Sequence, residues 1–194
     1  MGNVAQAENG IGYTGTAKVL HWLIVALLIV QFVLAWTMPD IRRDTKPDIL
    51  INLHLSFGAL ILAIAVMRLG WRLTHSEPPP EDGIPPWQVQ SARFVHWLLY
   101  LLLFVVPLLG WMNASFRGFP VTLFGLIELP KLMAAQSQGF AWTGDVHGLL
   151  ATYVLLPLVG LHVAAALYHW LVRRDGVLQR MLPGSDPIPN DRHP

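Results

Sequence analysis

Cysteine is absent from the 194-residue chain, and charged residues make up only 13% of it. The lack of cysteine excludes disulfides, thiolate zinc sites, cysteine-ligated iron–sulfur clusters, thiol catalysis and the covalent attachment of a c-type haem. An ordinary soluble domain carries about 25% charged residues, so a water-soluble globule is not expected. Any metal centre must rely on histidine, methionine or carboxylate, and the chain has eight histidines.

A basic surface is lacking as well. The 13 Lys and Arg residues nearly balance the 12 Asp and Glu residues, which leaves a formal net charge of +1 at pH 7. Proteins that bind nucleic acid neutralise its phosphates with a surplus of basic side chains. Nucleic acid is therefore not expected as a partner.

Apolar residues are abundant instead: they make up 54% of the sequence, and the mean hydropathy is +0.47. Four stretches contain no Lys, Arg, Asp or Glu and reach the roughly 20 residues that cross a bilayer as a helix. They cover residues 19–38, 49–67, 94–112 and 146–172. We predict an all-α integral membrane four-helix bundle over residues 16–182, with helices at about 16–38, 49–73, 90–113 and 145–173.

The remaining segments are expected to lie outside the bundle core. Residues 1–15 form an N-terminal segment, and the Pro- and Asp-rich residues 183–194 form a flexible C-terminal tail. The first apolar run is longer than a signal-peptide core and no A-x-A cleavage site follows it, so we expect it to be retained. The 113–145 segment holds several aromatic residues and is predicted either to lie on the membrane, to cap the bundle or to form a re-entrant loop.

Basic residues near the span ends predict the orientation through the positive-inside rule. With the N-terminus inside, the inner side holds Lys18, Arg68, Arg72, Arg93, Arg173, Arg174, Arg180 and Arg192. The outer side holds Arg42, Arg43, Lys46, Arg117 and Lys131. Both termini are therefore expected in the cytoplasm.

Histidines are rare inside membrane spans, and here six lie in or near them. Antiparallel helices sort four of these by depth: His21 falls near the inner face, and His54 and His147 fall near the outer face. His162 lies fifteen residues after His147, about 22 Å deeper, at the level of His21. A hydrogen-bonded packing histidine is the ordinary alternative for any one of them. Two stacked pairs facing a bundle interior are what six-coordinate haem b needs.

The fifteen-residue interval is not ideal for one helix face, because 1500° of rotation exceeds four full turns by 60°. A kink at Pro157 or a π-bulge could absorb the excess. Small residues next to the histidines, Gly58, Gly148 and Gly160, would let a flat macrocycle approach the backbone, or would simply allow close helix packing.

From about Thr16 to Pro183 the chain resembles the prokaryotic cytochrome b561 family of small four-helix dihaem proteins. The resemblance rests on an ordered set of motifs: Lys18-x-x-His21-Trp22, Asn52-Leu53-His54-Leu55, Met67-Arg68-x-x-Trp71-Arg72, His96-x-x-x-Tyr100, Gly160-Leu161-His162-x-Ala164-Ala165-Ala166-Leu167-x-His169 and Arg174-Asp175-Gly176-Val177-Leu178-x-Arg180-Met181-Leu182-Pro183. It implies two haem b groups with the axial ligands His21, His54, His147 and His162. The long interval in the last helix leaves His169 as a rival fourth ligand and His96 as a further candidate at the inner level.

The resemblance also implies a location in the bacterial inner membrane and electron exchange with ubiquinone. We expect electrons to pass from a periplasmic donor, with superoxide as one candidate, to ubiquinone. A cytochrome b anchor subunit that takes electrons from a periplasmic dehydrogenase or hydrogenase is the first alternative. A haem-free transporter or structural bundle is the second, although it leaves the paired histidines unexplained.

Two further sites are expected at opposite faces. At the outer face, an anionic donor would be attracted by Arg42, Arg43 and Lys46, which otherwise form an ordinary solvated loop. At the inner face, a quinone pocket between helices one, three and four is predicted to use His169, His96, Arg93 and Lys18. Interfacial anchoring is the ordinary role of His and Trp at that depth and is the alternative there.

Overall fold

The computed structural model describes residues 12–42 and 44–184 and contains four spans long and apolar enough to cross a membrane. These are α1 (Gly15–Thr37), α2 (Ile49–Thr74), α3 (Pro86–Arg117) and a fourth span over Trp142–Arg173. The prediction of an all-α four-helix membrane bundle is confirmed. Of the predicted N-terminal segment and C-terminal tail, only residues 12–15 and 183–184 lie in the described part of the chain.

Local sequence signals set the ends of the first three helices. Thr14 and Asp48 are N-caps: their side chains accept hydrogen bonds from the N–H groups of Ala17 and Ile51 at 3.3 and 2.9 Å. The third helix is longer than the predicted 90–113. It starts at Pro86, because proline suits the first helical turn, and it continues to Gly118, whose φ of 78° ends it.

The fourth span is not one regular α-helix, and it starts at 142 rather than at the predicted 145. It consists of α4 (Trp142–Leu149), a π-helical segment (Leu150–Leu155), α5 (Leu156–Tyr168) and a second π-helical segment (His169–Arg173). Pro157 is the second residue after the first π segment. Its ring removes one N–H donor and crowds the carbonyl of Tyr153, so the wider π turn forms on its N-terminal side.

The bundle core has two layers. Residues from the first three helices form one layer, around Ala65, which is fully buried. A smaller layer packs α3 against the first π segment through Leu102, Val106 and Leu155. The fourth span is thus held mainly through α3, which places its histidines opposite those of α1 and α2.

Residues 113–145 cap the end of the bundle that carries His54 and His147, one of the three arrangements expected from the sequence. We call this end the outer end and the opposite one the inner end, after the predicted orientation. After α3 the chain forms a hairpin of β1 (Thr122–Leu123) and β2 (Ile127–Glu128). Phe119 and Val121 are buried against Ile51 of α2, whereas Leu126 at the hairpin tip is 87% exposed. The Ser56 hydroxyl attaches the hairpin to α2: it is 2.6 Å from the Thr122 carbonyl and accepts the Phe124 N–H at 3.1 Å.

The C-terminal segment closes the inner end. A short 3₁₀ helix, Gln179–Met181, lies beside the start of α1, where the Trp22 indole donates to the Met181 carbonyl at 2.8 Å. Arg180 forms an ion pair with Glu81 in the loop between α2 and α3. The last described residues therefore connect three parts of the inner face.

Replacing Ser56 with alanine is expected to loosen the outer cap. The buried hydroxyl is 2% exposed, and its loss leaves the Phe124 N–H and the Thr122 carbonyl without this partner, at a cost of about 1–3 kcal/mol. We expect a lower thermal midpoint in detergent and faster proteolysis within residues 119–129.

Ser91→Ala is the matched control. The Ser91 hydroxyl is exposed and bonds only the Trp87 carbonyl one turn earlier in its own helix. Equal proteolysis of the two variants would contradict the anchoring role of Ser56.

Candidate functional site

The four predicted histidines meet in two pairs inside the bundle. His54 of α2 faces His147 of α4, with ring centres 6.1 Å apart and ring planes at 86°. His21 of α1 faces His162 of α5, with ring centres 6.2 Å apart and ring planes at 75°. Each pair therefore joins an early helix to the fourth span, at two levels of the bundle.

The first π segment lies between the two histidines of the fourth span. Its turns hold more residues than α-helical turns, so each residue advances by less than 100°. This reduces the 60° excess that fifteen α-helical residues would accumulate, and both histidines reach the bundle interior. The π-bulge considered from the sequence is present, and Pro157 follows two residues after its end.

His147 is positioned through one ring nitrogen. Its Nδ1–H donates to the Val106 carbonyl of α3 at 2.9 Å, which leaves Nε2 as the electron-pair donor. The ring packs against α3 at Gly110, where a Cβ atom would lie 3.0 Å from Cε1 and 3.1 Å from Nδ1 of His147. A side chain at this position would push the imidazole away from the helix by at least a few tenths of an ångström.

The outer pair opens on a cleft of about 350 Å³. Its walls include residues of the first three helices, among them Gln31, Gly58, Pro107 and Gly110. The Gln31 amide nitrogen donates to the His54 carbonyl at 3.1 Å and lies 3.2 Å from His54 Nε2. His54 Nδ1 and the Gln31 carboxamide oxygen are buried and have no hydrogen-bond partner within the described residues. The cleft thus contains unused polar atoms.

The inner pair has a third imidazole beside it. His96 of α3 lies 5.3 Å from His162, closer than His21 does. The separation of the ring centres distinguishes the two contacts. A metal–imidazole bond is about 2 Å long, and a ring nitrogen lies about 1 Å from its ring centre. Two rings that bind one metal from opposite sides therefore have centres about 6 Å apart. The His21–His162 pair matches this spacing and the outer pair, whereas His96 is too close to His162.

His169 belongs to a separate network at the inner end. Its Nδ1 lies 2.6 Å from Oδ2 of Asp175, which also accepts from Arg173 Nε at 3.1 Å. Burial raises the pKa of the Asp175 carboxyl, but the hydrogen bonds from His169, the Val177 N–H and Arg173 outweigh this and hold the pKa below its usual value. Asp175 is therefore a carboxylate at neutral pH.

The remaining predicted residues are at the two faces. Arg42 and Lys46 are exposed at the outer face, and Arg43 lies outside the described residues. Arg93 is exposed on α3, and Lys18 is half-buried on α1. No direct contact within the described chain joins His169 to His96.

Sequence reasoning missed three residues that position the histidines: Gly110, Val106 and Asp175. The contact between Asp175 and His169 could have been suspected, because Asp175 lies just after the last span and only six positions after His169. The roles of Gly110 and the Val106 carbonyl had no comparable signal, because they depend on how α3 packs against α4.

Comparison with known proteins agrees with this geometry. Residues 12–184 match the family described as "Prokaryotic cytochrome b561". The chain is 32% identical over 168 residues to the "Probable superoxide oxidase CybB" of Yersinia pestis, covering 84% of this chain and 92% of the relative. It is 30% identical over 171 residues to "Cytochrome b561 homolog 2" of Escherichia coli, covering 88% and 90%.

A third relative is "Cytochrome b562" of Cereibacter sphaeroides, which is 30% identical over 176 residues, 88% of this chain and 95% of that protein. The family match covers all four spans and both histidine pairs. The chain belongs to the prokaryotic cytochrome b561 family, membrane cytochromes that use haem b for electron transfer.

Proposed function

We propose that this protein holds two haem b groups and passes electrons from a donor at the outer face to ubiquinone at the inner face. The observation that carries the proposal is the pair of facing imidazoles at each level, with centre separations of 6.1 and 6.2 Å. His54 and His147 would be the axial ligands of the outer haem, and His21 and His162 those of the inner haem.

The donor set suits this cofactor. Neutral imidazole is a haem ligand, and a ligating histidine usually donates its second ring N–H to a carbonyl or carboxylate. His147 does so toward Val106. Bound in this way, each haem supplies a one-electron iron couple with no open coordination position, which favours electron transfer over ligand chemistry.

The outer face would receive the donor. Superoxide is the specific candidate, supported by the exposed cations Arg42 and Lys46 and by similarity to the probable superoxide oxidase of Yersinia pestis. Positive charge at the entry raises the local concentration of an anion and its rate of encounter. Two superoxide anions, each oxidised to O₂, would supply the two electrons for one quinone.

The inner face would bind ubiquinone, and His169 is the main candidate to contact it. Asp175 fixes the proton of His169 on Nδ1, and Nε2 makes no hydrogen bond within residues 12–42 and 44–184. With a second proton on Nε2, that nitrogen would donate to a quinone carbonyl and deliver this proton as the quinone is reduced. His96, Arg93 and Lys18 would complete the polar end of the pocket, and both termini would lie on this cytoplasmic side.

A periplasmic redox protein is the second candidate donor. Leu126 and Ile127 at the tip of the outer hairpin are 87% and 58% exposed, which favours a docking role for the cap. The two donors are distinguished by anaerobic haem reduction assayed with superoxide and with candidate dehydrogenases in turn. Stable co-purification with a soluble redox subunit, together with no reduction by superoxide, would favour the anchor-subunit function.

The proposed ligands predict the haem content of single variants. Purified protein should contain two haem b per chain by the pyridine haemochrome assay. His54→Ala and His147→Ala should each lose only the outer haem, and His21→Ala and His162→Ala only the inner one, because the two histidines of a pair share one iron.

His75→Ala is the matched control. The His75 ring stacks on Trp71 just after α2 and should be dispensable for both haems. A His162→Ala variant that keeps two haems, combined with a His169→Ala variant that loses one, would show that the fourth ligand is His169.

Gly110 predicts a steric effect on the outer site alone. Gly110→Leu places side-chain atoms where the His147 ring lies, so the outer haem should be lost or its axial geometry distorted while the inner haem stays. The measurements are haem content and the electron paramagnetic resonance spectrum of the oxidised protein.

Gly148→Leu provides the comparison on the other side of the same ligand. Gly148 adjoins His147, but nothing lies within 4 Å of a Cβ built there. If the two leucine variants lose the outer haem equally, close packing at Gly110 is not what positions His147.

His169→Ala should slow quinone reduction about a hundredfold, at the lower end of the effect of losing a general acid, while both haems remain. Asp175→Asn should slow it less, because the ring stays but its orienting carboxylate is lost. Because the pKa of Asp175 is lowered, the stabilisation from the hydrogen bonds that its carboxylate accepts is complete above the usual pKa of an aspartate and is lost as the pH falls through the lowered pKa.

His75→Ala should leave the rate unchanged. Unchanged quinone reduction in both His169→Ala and His96→Ala, with normal spectra, would place the quinone site elsewhere.

A further inference from the structure

Arg68 lies on α2 at the level of the inner histidine pair. It follows His54 by fourteen residues, which is about 21 Å along the helix and within about 40° of the same face. The Arg68 side chain bonds Tyr100 of α3, which lies one turn after His96 beside the inner pair. The helix that offers an imidazole to the outer site therefore offers a guanidinium to the inner one.

The guanidinium of Arg68 is only partly satisfied. Nε donates to the Tyr100 hydroxyl at 3.1 Å, and the side chain lies 5.9 Å from the Tyr100 ring centre. Nη1 is buried and makes no hydrogen bond to the described residues. Tyr100 itself is buried, at 7% exposure.

Other arginines at this end have acidic partners. Arg72 pairs with Glu77, Arg173 with Asp175 and Arg180 with Glu81. Among residues 12–42 and 44–184, Arg68 pairs with no carboxylate. A half-buried arginine whose Nη1 is buried without a partner is costly in a membrane protein, so an anion is expected beside it.

A second cleft adjoins Arg68, so the guanidinium is accessible to that anion. Its lining includes Arg68, Thr14 and Tyr100, together with Arg72 and Glu77, which pair with each other and leave Arg68 as the cation without a carboxylate partner among the described residues. Carboxylates are the natural partners, because the planar arginine fork can bind both of their oxygens.

We propose that Arg68 binds a propionate carboxylate of the inner haem. This rests on the proposed function, which places that haem between His21 and His162. Haem b brings its own carboxylates, so the group that needs the two histidines also supplies the anion that Arg68 lacks. The positive charge near the iron then stabilises its reduced form and raises the potential of the inner haem relative to the outer one.

The test is a redox titration of the purified dihaem protein. In Arg68→Gln the reduction equilibrium of the inner haem should shift about tenfold toward the oxidised form, a fall of about 59 mV for a one-electron couple. Arg68→Lys keeps the charge and should shift it less than threefold. The outer haem should keep its potential in both variants.

Arg174→Gln is the charge-matched control. Arg174 is exposed at the same end of the bundle, so its replacement by glutamine removes one positive charge from the same side. An equal shift in Arg174→Gln and Arg68→Gln would overturn the proposal, because the effect would then be one of net charge. An unchanged inner potential in Arg68→Gln, or identical shifts in the Gln and Lys variants, would overturn it as well.

A second measurement uses the cofactor instead of the protein. Wild type and Arg68→Gln are reconstituted with haem whose two propionates are methyl esters. If the carboxylate is the partner, esterification should remove most of the potential difference between the two proteins. A difference that persists with the ester would mean that Arg68 acts on another group, such as a lipid phosphate.

The same experiments separate this proposal from the proposed function. A wild-type protein with only one haem would refute the dihaem arrangement before Arg68 is considered. Loss of the inner haem in Arg68→Gln supports the proposal if Arg68→Lys restores it, and overturns it if Arg68→Lys does not.

Discussion

The need to satisfy imidazoles inside a bilayer governs this structure. In hydrocarbon a polar ring without a partner is costly, so histidines within a span must face the bundle interior. Two of them lie on the fourth span, fifteen residues apart, and a straight α-helix would not direct both inward equally well. The π segment at Leu150–Leu155 resolves this conflict, because it changes the rotation of the helix between the two histidines.

The helices around the fourth span are shaped to receive it. On α3, the His147 ring packs against Gly110, which has no side chain, and it donates a hydrogen bond to the Val106 carbonyl. Pro107 lies between them, and by lacking an N–H it weakens the local helical hydrogen bonding that would otherwise compete. The outer cap also depends on a single buried group: the Ser56 hydroxyl bonds the hairpin to α2.

Much of this arrangement could be predicted from the sequence. Apolar length predicted the four spans, and antiparallel depth predicted which histidines share a level, because both follow from a fixed rise per residue. The end of α3 at Gly118 rather than at 113 could not be read from hydropathy, since the polar residues after Met112 stay helical until a glycine stops them. The Asp175–His169 contact and the packing of His147 against Gly110 were missed because they depend on side-chain packing between segments, which periodicity does not describe.

The electrostatic difference between the two ends gives the proposed electron path a direction. The outer pair is surrounded by uncharged groups, namely the Gln31 amide and the Val106 carbonyl. The inner pair lies within the field of Arg68, whose guanidinium has no carboxylate partner in the described chain. A ferrous centre carries one positive charge fewer than a ferric one, so a nearby cation favours reduction where it is closest. Because Arg68 would offset the negative charge of a propionate at the inner haem, electrons that enter at the outer haem would move toward the inner one, where His169, held by the Asp175 carboxylate, would deliver a proton in the proposed quinone reduction.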